Sequence, residues 1–348
     1  MRYLIDKLSI KNDLSQEELE VLLTNLTEED RDYLIDKAYE VRKQYYGNTV
    51  FFRGLIEISN ICKCDCFYCG IRASNKKANR YRLSKEEILE CCYRGYSLGY
   101  RTFVFQGGED SYFSDELLES IIKTLKGKYS DIAITLSLGE RGEESFKRLY
   151  EAGADRYLLR HETVNEKLYK ELHPNMSLDN RKKCLEYLKE IGYQVGSGFL
   201  IGLPGLKLTD YAKDLIFLKK LKPHMVGIGP FIPHEDTPLK NENGGTAYDT
   251  ITLLAIIRLL LPDVLLPATT ALGTIDPKGR EKGFKAGANV IMPNLSPMEC
   301  RKKYALYNGK VFLGKESAEE KLKIENSILE AGFQPVLTRG DNVRWKRK

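Results

Sequence analysis

Four of the eight cysteines in this 348-residue sequence lie between residues 62 and 69, and this crowding is its strongest chemical signal. Cys62, Cys66 and Cys69 follow the spacing C-x3-C-x2-C, and an aromatic residue, Tyr68, directly precedes the last cysteine. Three thiolates on a cubane cluster leave one iron without a protein ligand, and catalytic metal sites keep such an open position. The spacing therefore predicts one 4Fe-4S cluster that can chelate a small molecule.

A zinc site is the alternative interpretation of these cysteines, and it would make the chain a non-catalytic scaffold. Tetrahedral zinc usually needs a second C-x2-C or a histidine pair, and none follows here. The other four cysteines are scattered over predicted helices and are interpreted as small buried side chains. Cys64 is interpreted as a bystander, because a ligand set of Cys64, Cys66 and Cys69 would place two ligands unusually close. The four histidines show no metal-like spacing.

The elements that position the cysteines begin at residue 50, where β-branched runs start to alternate with helical patterns. The predicted strands are 50–58, 102–105, 133–136, 156–159, 198–201, 225–228, 264–267 and 289–292. Eight strands with intervening helices predict an α/β fold, a (β/α)8 TIM-type barrel, with an open doubly wound sheet as the competitor. The cysteine loop follows the first strand, so it is expected at the C-terminal mouth, where barrel active sites are built.

The predicted helices support this order. Capping boxes at Ser15/Glu18, Thr27/Asp30 and Ser84/Glu87 mark three helix starts. Further helical patterns cover 114–125, 143–151, 178–191, 209–221 and 248–260, and one more covers 315–333. The chain is therefore divided into a helical extension (1–48), the barrel (49–310) and a C-terminal extension (311–348), whose basic end, 344–348, is expected to be a solvated tail.

Composition and charge exclude several partners. The formal net charge is only +5, so no nucleic-acid partner is inferred. The N-terminus has no signal-peptide core, and the longest apolar stretch, 251–261, contains Arg258 and is shorter than a membrane span. The predicted location is the cytoplasm, with no membrane partner.

The cysteine loop resembles that of the radical S-adenosylmethionine (SAM) superfamily. In that superfamily the open iron binds SAM, and one electron from the cluster then cleaves its S–C5′ bond. A Gly107-Gly108-Glu109 turn after strand two resembles the superfamily segment beside the SAM amino group, and the alternative is a plain strand-to-helix turn. Glu162 is the candidate acceptor for that amino group and Arg181 the candidate for the carboxylate, although either could be a solvated charge.

Five longer segments resemble the HydE-type maturases of iron–iron hydrogenase, and the resemblance extends from about residue 30 to about residue 310. They are TLSLGE (135–140), DRYLLRHET (155–163), MVGIGPFIPHEDTPL (225–239), PATTALGT (267–274) and AGANVIMPN (286–294). The resemblance implies SAM at the top of a barrel and a second substrate deeper in its cavity. The implied SAM contacts are Tyr68, Gly107, Gly108, Glu109, Ser137, Glu162, Arg181 and Leu203. The implied substrate contacts are Thr135, Arg156, Arg160, Thr269, Thr270, Met292, Tyr304 and Tyr307.

This family implies a role in building the di-iron site of the hydrogenase. The implied substrate is a small iron complex with carbonyl, cyanide and a cysteine-derived ligand, and the implied partners are other maturases and an electron donor. Some relatives carry a second cluster, but residues 301–348 contain no cysteine, so one cluster is predicted. A 3-methylornithine synthase-like mutase is the nearest alternative. Biotin-synthase-like sulfur insertion is disfavoured, because the barrel has no further cysteine set.

Overall fold

A computed structural model describes residues 1–310 and 320–347 of the chain. Its centre is a ring of short parallel strands. In chain order the strands are β1 (Thr49–Phe52), β2 (Gly54–Ser59), β3 (Thr102–Gly107), β4 (Ala133–Ser137), β5 (Arg156–Leu158), β6 (Gln194–Ser197), β7 (Leu200–Ile201), β8 (Met225–Val226), β9 (Gly229–Pro230), β10 (Val290–Ile291) and β11 (Gln334–Val336).

The ring is closed, which confirms the predicted barrel and excludes the open sheet. Strands β2, β3, β4, β5, β6 and β8 form one parallel sheet in that order. Single bridges from Met225 to Leu265 and from Pro267 to Val290 continue the ring through the seventh position. Strand β10 then pairs with β1, which runs on into β2. Within the described residues the barrel therefore has eight strand positions, the seventh of which contributes only those bridges.

The fifth predicted strand was placed wrongly. The barrel uses Gln194–Ser197, while the apolar run that was predicted, 198–201, lies beyond it and contributes β7, which pairs with β9. Gly198 explains the break: it has φ +151°, and a Cβ there would lie 2.0 Å from the carbonyl oxygen of Gly227. The chain leaves the ring at this glycine, which only a residue without a side chain permits.

Helices surround the ring, and the three predicted capping boxes are all formed. The helices are α1 (Arg2–Lys11), α2 (Gln16–Asn25), α3 (Glu28–Tyr46), α4 (Lys85–Ser97), α5 (Asp115–Lys128), α6 (Glu143–Ala152), α7 (Glu166–Leu172), α8 (Leu178–Ile191), α9 (Leu208–Leu221), α10 (Ala247–Leu260), α11 (Thr270–Ile275), α12 (Gly279–Lys285), α13 (Met298–Arg301) and α14 (Lys321–Glu330).

The most apolar helix, α10, is buried along most of its length, because the N-terminal helices α1 and α3 pack against it. Its one charged residue in that buried part, Arg258, donates hydrogen bonds to the carbonyl oxygens of Gly287 and Pro262, at 2.7 Å each. The long apolar stretch is thus a core helix. No helix in the described ranges is long and apolar enough to cross a membrane.

The C-terminal residues return to the barrel. Strand β11 pairs in parallel with β1, opposite Thr49 to Phe51. The predicted helix over 315–333 is observed as α14, and the first part of its predicted range lies outside the described residues. The division into three parts stays a prediction, and β11 shows that the last part shares a sheet with the barrel.

The basic end is exposed at Arg344, Lys346 and Arg347, as expected of a solvated tail, but it is held against the barrel. Trp345 donates from Nε1 to the carbonyl oxygen of Gly192 at 2.9 Å, and Arg347 lies 3.1 Å from the carboxylate of Asp155. Arg344 pairs with Asp263. Buried carboxylates and carbonyl oxygens at the bottom of the barrel therefore hold a segment whose composition alone is typical of a free end.

Candidate active site

A cavity of about 350 Å³ opens at the C-terminal ends of the barrel strands. Most residues predicted for the site line it. They are Cys62, Cys66, Tyr68, Cys69, Gly107, Gly108, Glu109, Ser137, Arg160, Glu162, Arg181, Thr269, Thr270, Met292, Tyr304 and Tyr307. The parallel strands bring these residues together from distant parts of the sequence, because their C-terminal ends share one edge.

The cysteine loop presents its sulfurs to this cavity. The Sγ atom of Cys62 accepts hydrogen bonds from the backbone N–H groups of Cys64, at 3.4 Å, and Glu109, at 3.3 Å. A hydrogen bond from the Cys64 thiol lowers the pKa of Cys62 to about 7, whereas burial raises the pKa of Cys69 to about 12. A bound metal favours the thiolate form, so cluster binding would release these protons.

The donor set fits an iron–sulfur cluster. In residues 1–310 and 320–347, no three His, Cys, Asp or Glu side chains are arranged to hold a single metal ion. A cubane is wider than one ion, since its cysteine ligands bind different irons, and Cys62, Cys66 and Cys69 all border the same cavity. Cys64 borders it too, so the ligand set remains a prediction.

The Gly107-Gly108-Glu109 turn packs closely against the cysteine loop. A Cβ on Gly108 would lie 2.3 Å from the carbonyl oxygen of Ile61 and 2.6 Å from the Cβ of Cys62, so only glycine fits. The Lys63 N–H donates to the carbonyl oxygen of Glu109 at 2.9 Å, which ties the loop to the turn. These contacts favour a turn that is shaped to hold the cysteine loop over a plain strand-to-helix connection.

Glu162 borders the cavity and has one carboxylate oxygen that is not used by the described residues. It is buried and has φ +64°, a left-handed conformation that is uncommon for a residue with a side chain. Its Oε1 atom lies 3.2 Å from Nε of Arg160, whereas Oε2 is buried and has no hydrogen-bond partner among the described residues. A buried carboxylate oxygen without a partner is costly, so the site suits a ligand that donates to it.

Arg160 and Arg181, the two positively charged side chains next to Glu162, are each paired with a carboxylate. Arg181 is buried and its Nε lies 2.7 Å from Oε1 of Glu140, a partner that the sequence did not indicate. Its Nη1 donates to the carbonyl oxygen of Arg160 at 3.2 Å. Arg160 is about one-third exposed and pairs with Glu162. Both guanidinium groups border the cavity, where they create a positive field for an anionic ligand.

Tyr68 is fixed by a histidine that the sequence left without a role. Its hydroxyl lies 2.8 Å from Nε2 of His173, whose Nδ1 lies 2.8 Å from the carbonyl oxygen of Tyr169. A carbonyl only accepts, so Nδ1 carries the proton and Nε2 accepts from Tyr68. Burial lowers the pKa of His173 to about 4, which keeps the imidazole neutral and the Tyr68 ring in place.

Three predicted site residues do not line the cavity. Arg156 begins β5 rather than ending it, and it donates to the carbonyl oxygen of Arg339 and to Asp341, 2.7 Å away, at the opposite end of the barrel. Thr135 is its register partner on β4 and is equally buried. Leu203 packs into an apolar cluster with Leu200 and Phe231 instead. The strand bounds explain the placement of Arg156, because position along a strand decides which end of a barrel a side chain reaches.

Two charged residues of the cavity wall were missed. Glu57 on β2 is fully buried and forms an ion pair with Lys310, and Asn294 donates to its other oxygen at 2.9 Å. Lys310 also donates to the carbonyl oxygen of Tyr304 at 2.8 Å. A carboxylate inside an otherwise apolar buried strand was the available signal for Glu57. The sequence contains no such signal for Lys310, because its approach to the cavity depends on the path of the chain after the last barrel strand.

Comparisons with known proteins identify relatives of this chain. A model of the radical SAM superfamily matches residues 56–218. The chain is 48% identical to the FeFe hydrogenase maturase subunit HydE of Thermotoga maritima, over 84% of each chain. It is 33% identical to the 3-methylornithine synthase of Methanosarcina acetivorans, over 82% of each. The crystal structure of a methylornithine synthase superposes with a TM-score of 0.81 at 26% identity, covering 96% of this chain and 97% of that one.

The barrel, the cysteine loop and these relatives define a class of enzymes that use a 4Fe-4S cluster and SAM. The chain belongs to the radical SAM superfamily, in its HydE-type maturase family. The predicted family is thereby confirmed. The crystal structure of HydG, a maturase of the same hydrogenase, superposes with a TM-score of 0.82 at 22% identity, over 96% of this chain and 75% of that one, and it shows the shared fold alone.

Proposed function

We propose that Cys62, Cys66 and Cys69 hold one 4Fe-4S cluster and that this enzyme uses it to cleave SAM. When bound and reduced, the cluster supplies the electron that breaks the S–C5′ bond and yields a 5′-deoxyadenosyl radical. The observation that carries the proposal is Glu162, which borders the same cavity as the three cysteines and whose Oε2 has no hydrogen-bond partner among the described residues. An ammonium group is the donor that best satisfies a buried carboxylate oxygen.

The surrounding residues would then hold the rest of SAM. Arg181 and Arg160 supply positive charge for the carboxylate, and Tyr68, immobilised by His173, supplies a fixed aromatic surface. Gly108 allows the backbone to approach the cysteine loop closely, which narrows the cavity around the reacting part of the ligand. Each residue acts by positioning, and catalysis of this kind gains from a fixed geometry of the reactants.

We propose that the substrate is a small iron complex in the assembly of the hydrogenase di-iron site. The HydE relative supports this role. The deeper wall supports an anionic ligand, because Arg160, Thr269, Thr270, Tyr304 and Tyr307 place guanidinium and hydroxyl donors around it. The partners would be other maturases and an electron donor, and the location would be the cytoplasm, where thiols stay reduced.

A 3-methylornithine synthase-like reaction is the second candidate. The buried Glu57–Lys310 pair favours it, since paired opposite charges in a cavity wall suit the ammonium and carboxylate groups of a free amino acid. The relative of that name is less similar than the HydE relative, at 33% against 48% identity.

One experiment separates the two candidates. The anaerobically reconstituted protein is added to a hydrogenase maturation extract that lacks only its HydE-type component, and hydrogen evolution is measured. In parallel, the protein is incubated with lysine, SAM and a reductant. Restored hydrogenase activity supports the maturase. Methylornithine formation without restoration would replace it, and absence of 5′-deoxyadenosine in both would refute SAM cleavage.

A further inference from the structure

The backbone at Glu162 forms a strained turn. The N–H of Thr163 donates to the carbonyl oxygen of His161 at 2.8 Å, and Glu162 between them has φ +64°. A bond from residue i to i+2 around a central positive φ is a γ-turn of the rare, unfavourable kind. Such a conformation persists only where the surrounding structure holds it.

One carboxylate on helix α9 contacts the residues on both sides of this turn, and the backbone of Glu162 between them is hydrogen-bonded to Gly198 and Leu200. Oδ1 of Asp214 accepts a hydrogen bond from the N–H of Val164 at 2.6 Å, and it lies 3.3 Å from Nε2 of His161. The side chains of Asp214 and His161 are both fully buried. A single oxygen atom therefore holds the chain that follows the turn by a hydrogen bond and contacts the imidazole of the residue that precedes Glu162 without forming one.

The imidazole of His161 is fixed from its other side as well. Its Nδ1 lies 2.9 Å from the hydroxyl oxygen of Ser197, at the end of β6. Its ring packs against Phe217, with 4.7 Å between the ring centroids, and against Phe199, at 5.9 Å. The turn is thus anchored to a barrel strand on one side and to helix α9 on the other.

Ser197, His161 and Asp214 resemble a hydrolytic triad by residue type, but their position excludes that function. All three are fully buried, and none of them borders the cavity. A nucleophile must reach its substrate, so this arrangement can act only through what it supports. The residue that it supports is Glu162.

We propose that Asp214 is a positioning residue for SAM binding, which holds the strained turn so that Oε2 of Glu162 faces the ligand. The proposal rests on the proposed function, because it takes Glu162 as the acceptor of the SAM ammonium group. Asp214 touches no ligand itself. Its loss would let the turn relax toward a negative φ and withdraw the acceptor from the cavity.

The test measures SAM affinity of the reconstituted protein by equilibrium dialysis for Asp214→Ala, Asp214→Asn, Glu162→Gln and the double variant Asp214→Ala/Glu162→Gln. Asp214→Ala should weaken SAM binding about tenfold, the effect of losing one hydrogen bond to a charged group. Asp214→Asn should stay within about threefold of the wild type, because its amide oxygen still accepts from Val164. In the Glu162→Gln background, Asp214→Ala should add no more than about twofold, since the two act through one contact.

Asp210→Ala is the matched control, because Asp210 lies one turn earlier on α9 and contacts Asn165 instead. It should leave SAM affinity unchanged. A crystal structure of the Asp214→Ala protein should show Glu162 with a negative φ. If that variant does not take up iron, His161→Gln, which removes the imidazole from the same link, replaces it in every arm.

Three outcomes would overturn the proposal. Unchanged affinity in Asp214→Ala would show that the turn holds without it. A tenfold loss that persists in the Glu162→Gln background would show a general structural effect. Unchanged affinity in Glu162→Gln alone would show that Glu162 does not contact SAM, and this proposal would fail with that contact. This failure is distinguishable from a failure of the proposed function, because SAM cleavage by the wild type is assayed independently.

Discussion

At the scale of single residues, the cysteine loop has four thiols for three predicted ligand positions. The sulfur of Cys62 accepts hydrogen bonds from two backbone N–H groups, and the described residues direct no backbone N–H group at the sulfur of Cys64. Backbone donors directed at a sulfur are typical of a thiolate ligand, since they stabilise its negative charge. This difference supports the choice of Cys62 over Cys64 as the first ligand.

Replacing each cysteine tests that choice. Alanine at Cys62, Cys66 or Cys69 should abolish the release of 5′-deoxyadenosine and lower the iron content, because each is proposed to bind an iron directly. Alanine at Cys64 should leave both largely intact. Iron analysis and product chromatography after anaerobic reconstitution measure the two quantities. Activity in the Cys62 variant together with an inactive Cys64 variant would instead indicate that the ligands are Cys64, Cys66 and Cys69.

Gly108 offers a second prediction at this scale. In Gly108→Ala the new methyl group would meet the backbone oxygen of Ile61 at 2.3 Å, so the turn and the cysteine loop must separate. We expect the variant to bind less iron and to lose most SAM cleavage while it remains folded. Gly142→Ala is the control, because nothing lies within 4 Å of its added methyl group. Equal iron content in the two variants would contradict the close approach.

At the scale of elements, the C-terminal segment was the least predictable part of the described chain. Arg339 and Asp341 follow β11 and reach the bottom of the barrel, where Asp341 accepts from Arg156 and from Gln194, the latter at 2.6 Å. No periodicity marks such a segment, because most of its contacts are with distant strands, although Arg339 and Asp341 also pair with each other at 2.8 Å. Its contacts explain why Arg156 is unavailable to the cavity.

Asp341→Ala should therefore destabilise the barrel without changing SAM affinity. The substitution removes the carboxylate partner of the fully buried Arg156, and breaking a buried pair from one side typically costs about 3 kcal/mol. Urea unfolding measures the loss, and dialysis measures the affinity. Glu116→Ala is the control, since its pair with Arg148 is largely exposed and should contribute little to stability. A changed SAM affinity with unchanged stability would instead indicate that Arg156 acts at the cavity, as the sequence predicted.

At the scale of the whole molecule, the buried His173 and the half-buried His224 couple folding to pH. Burial lowers the pKa of His224, as it does that of His173, to about 4. Nδ1 of His224 accepts from the N–H of Val195 at 3.2 Å, so protonation would break this bond. Both groups bind protons in the unfolded chain near pH 6.5 but in the folded chain only near pH 4.

The free energy of unfolding should consequently fall as the pH drops from 7 to 5, since the two imidazoles then bind protons in the unfolded state but not in the folded state. Each histidine contributes up to about 2 kcal/mol over this range, and less for the partly exposed His224. Urea unfolding at the two pH values measures the change. His224→Gln should reduce it, while Glu116→Ala should not. A stability that rises on acidification would contradict the neutral state of these imidazoles.

The sequence alone determined the features that depend on local order. Spacing of three or four residues identified the cysteine loop, capping boxes marked three helix starts, and alternating patterns identified the barrel, because each signal lies within a few turns of backbone. The same reasoning placed Glu162 and the glycine turn at the mouth, since both directly follow a strand. The predicted family also followed from contiguous segments.

Only the tertiary structure decided which end of the barrel each side chain reaches and which distant residues it meets. Arg156 and Arg160 are four residues apart on one strand and its loop, yet one pairs with the C-terminal segment and the other borders the cavity. Asp214 and Glu162 are separated by two helices and two strands, and Glu57 and Lys310 by nearly the whole barrel. Such contacts arise from ring closure and packing, which no local pattern of residues encodes.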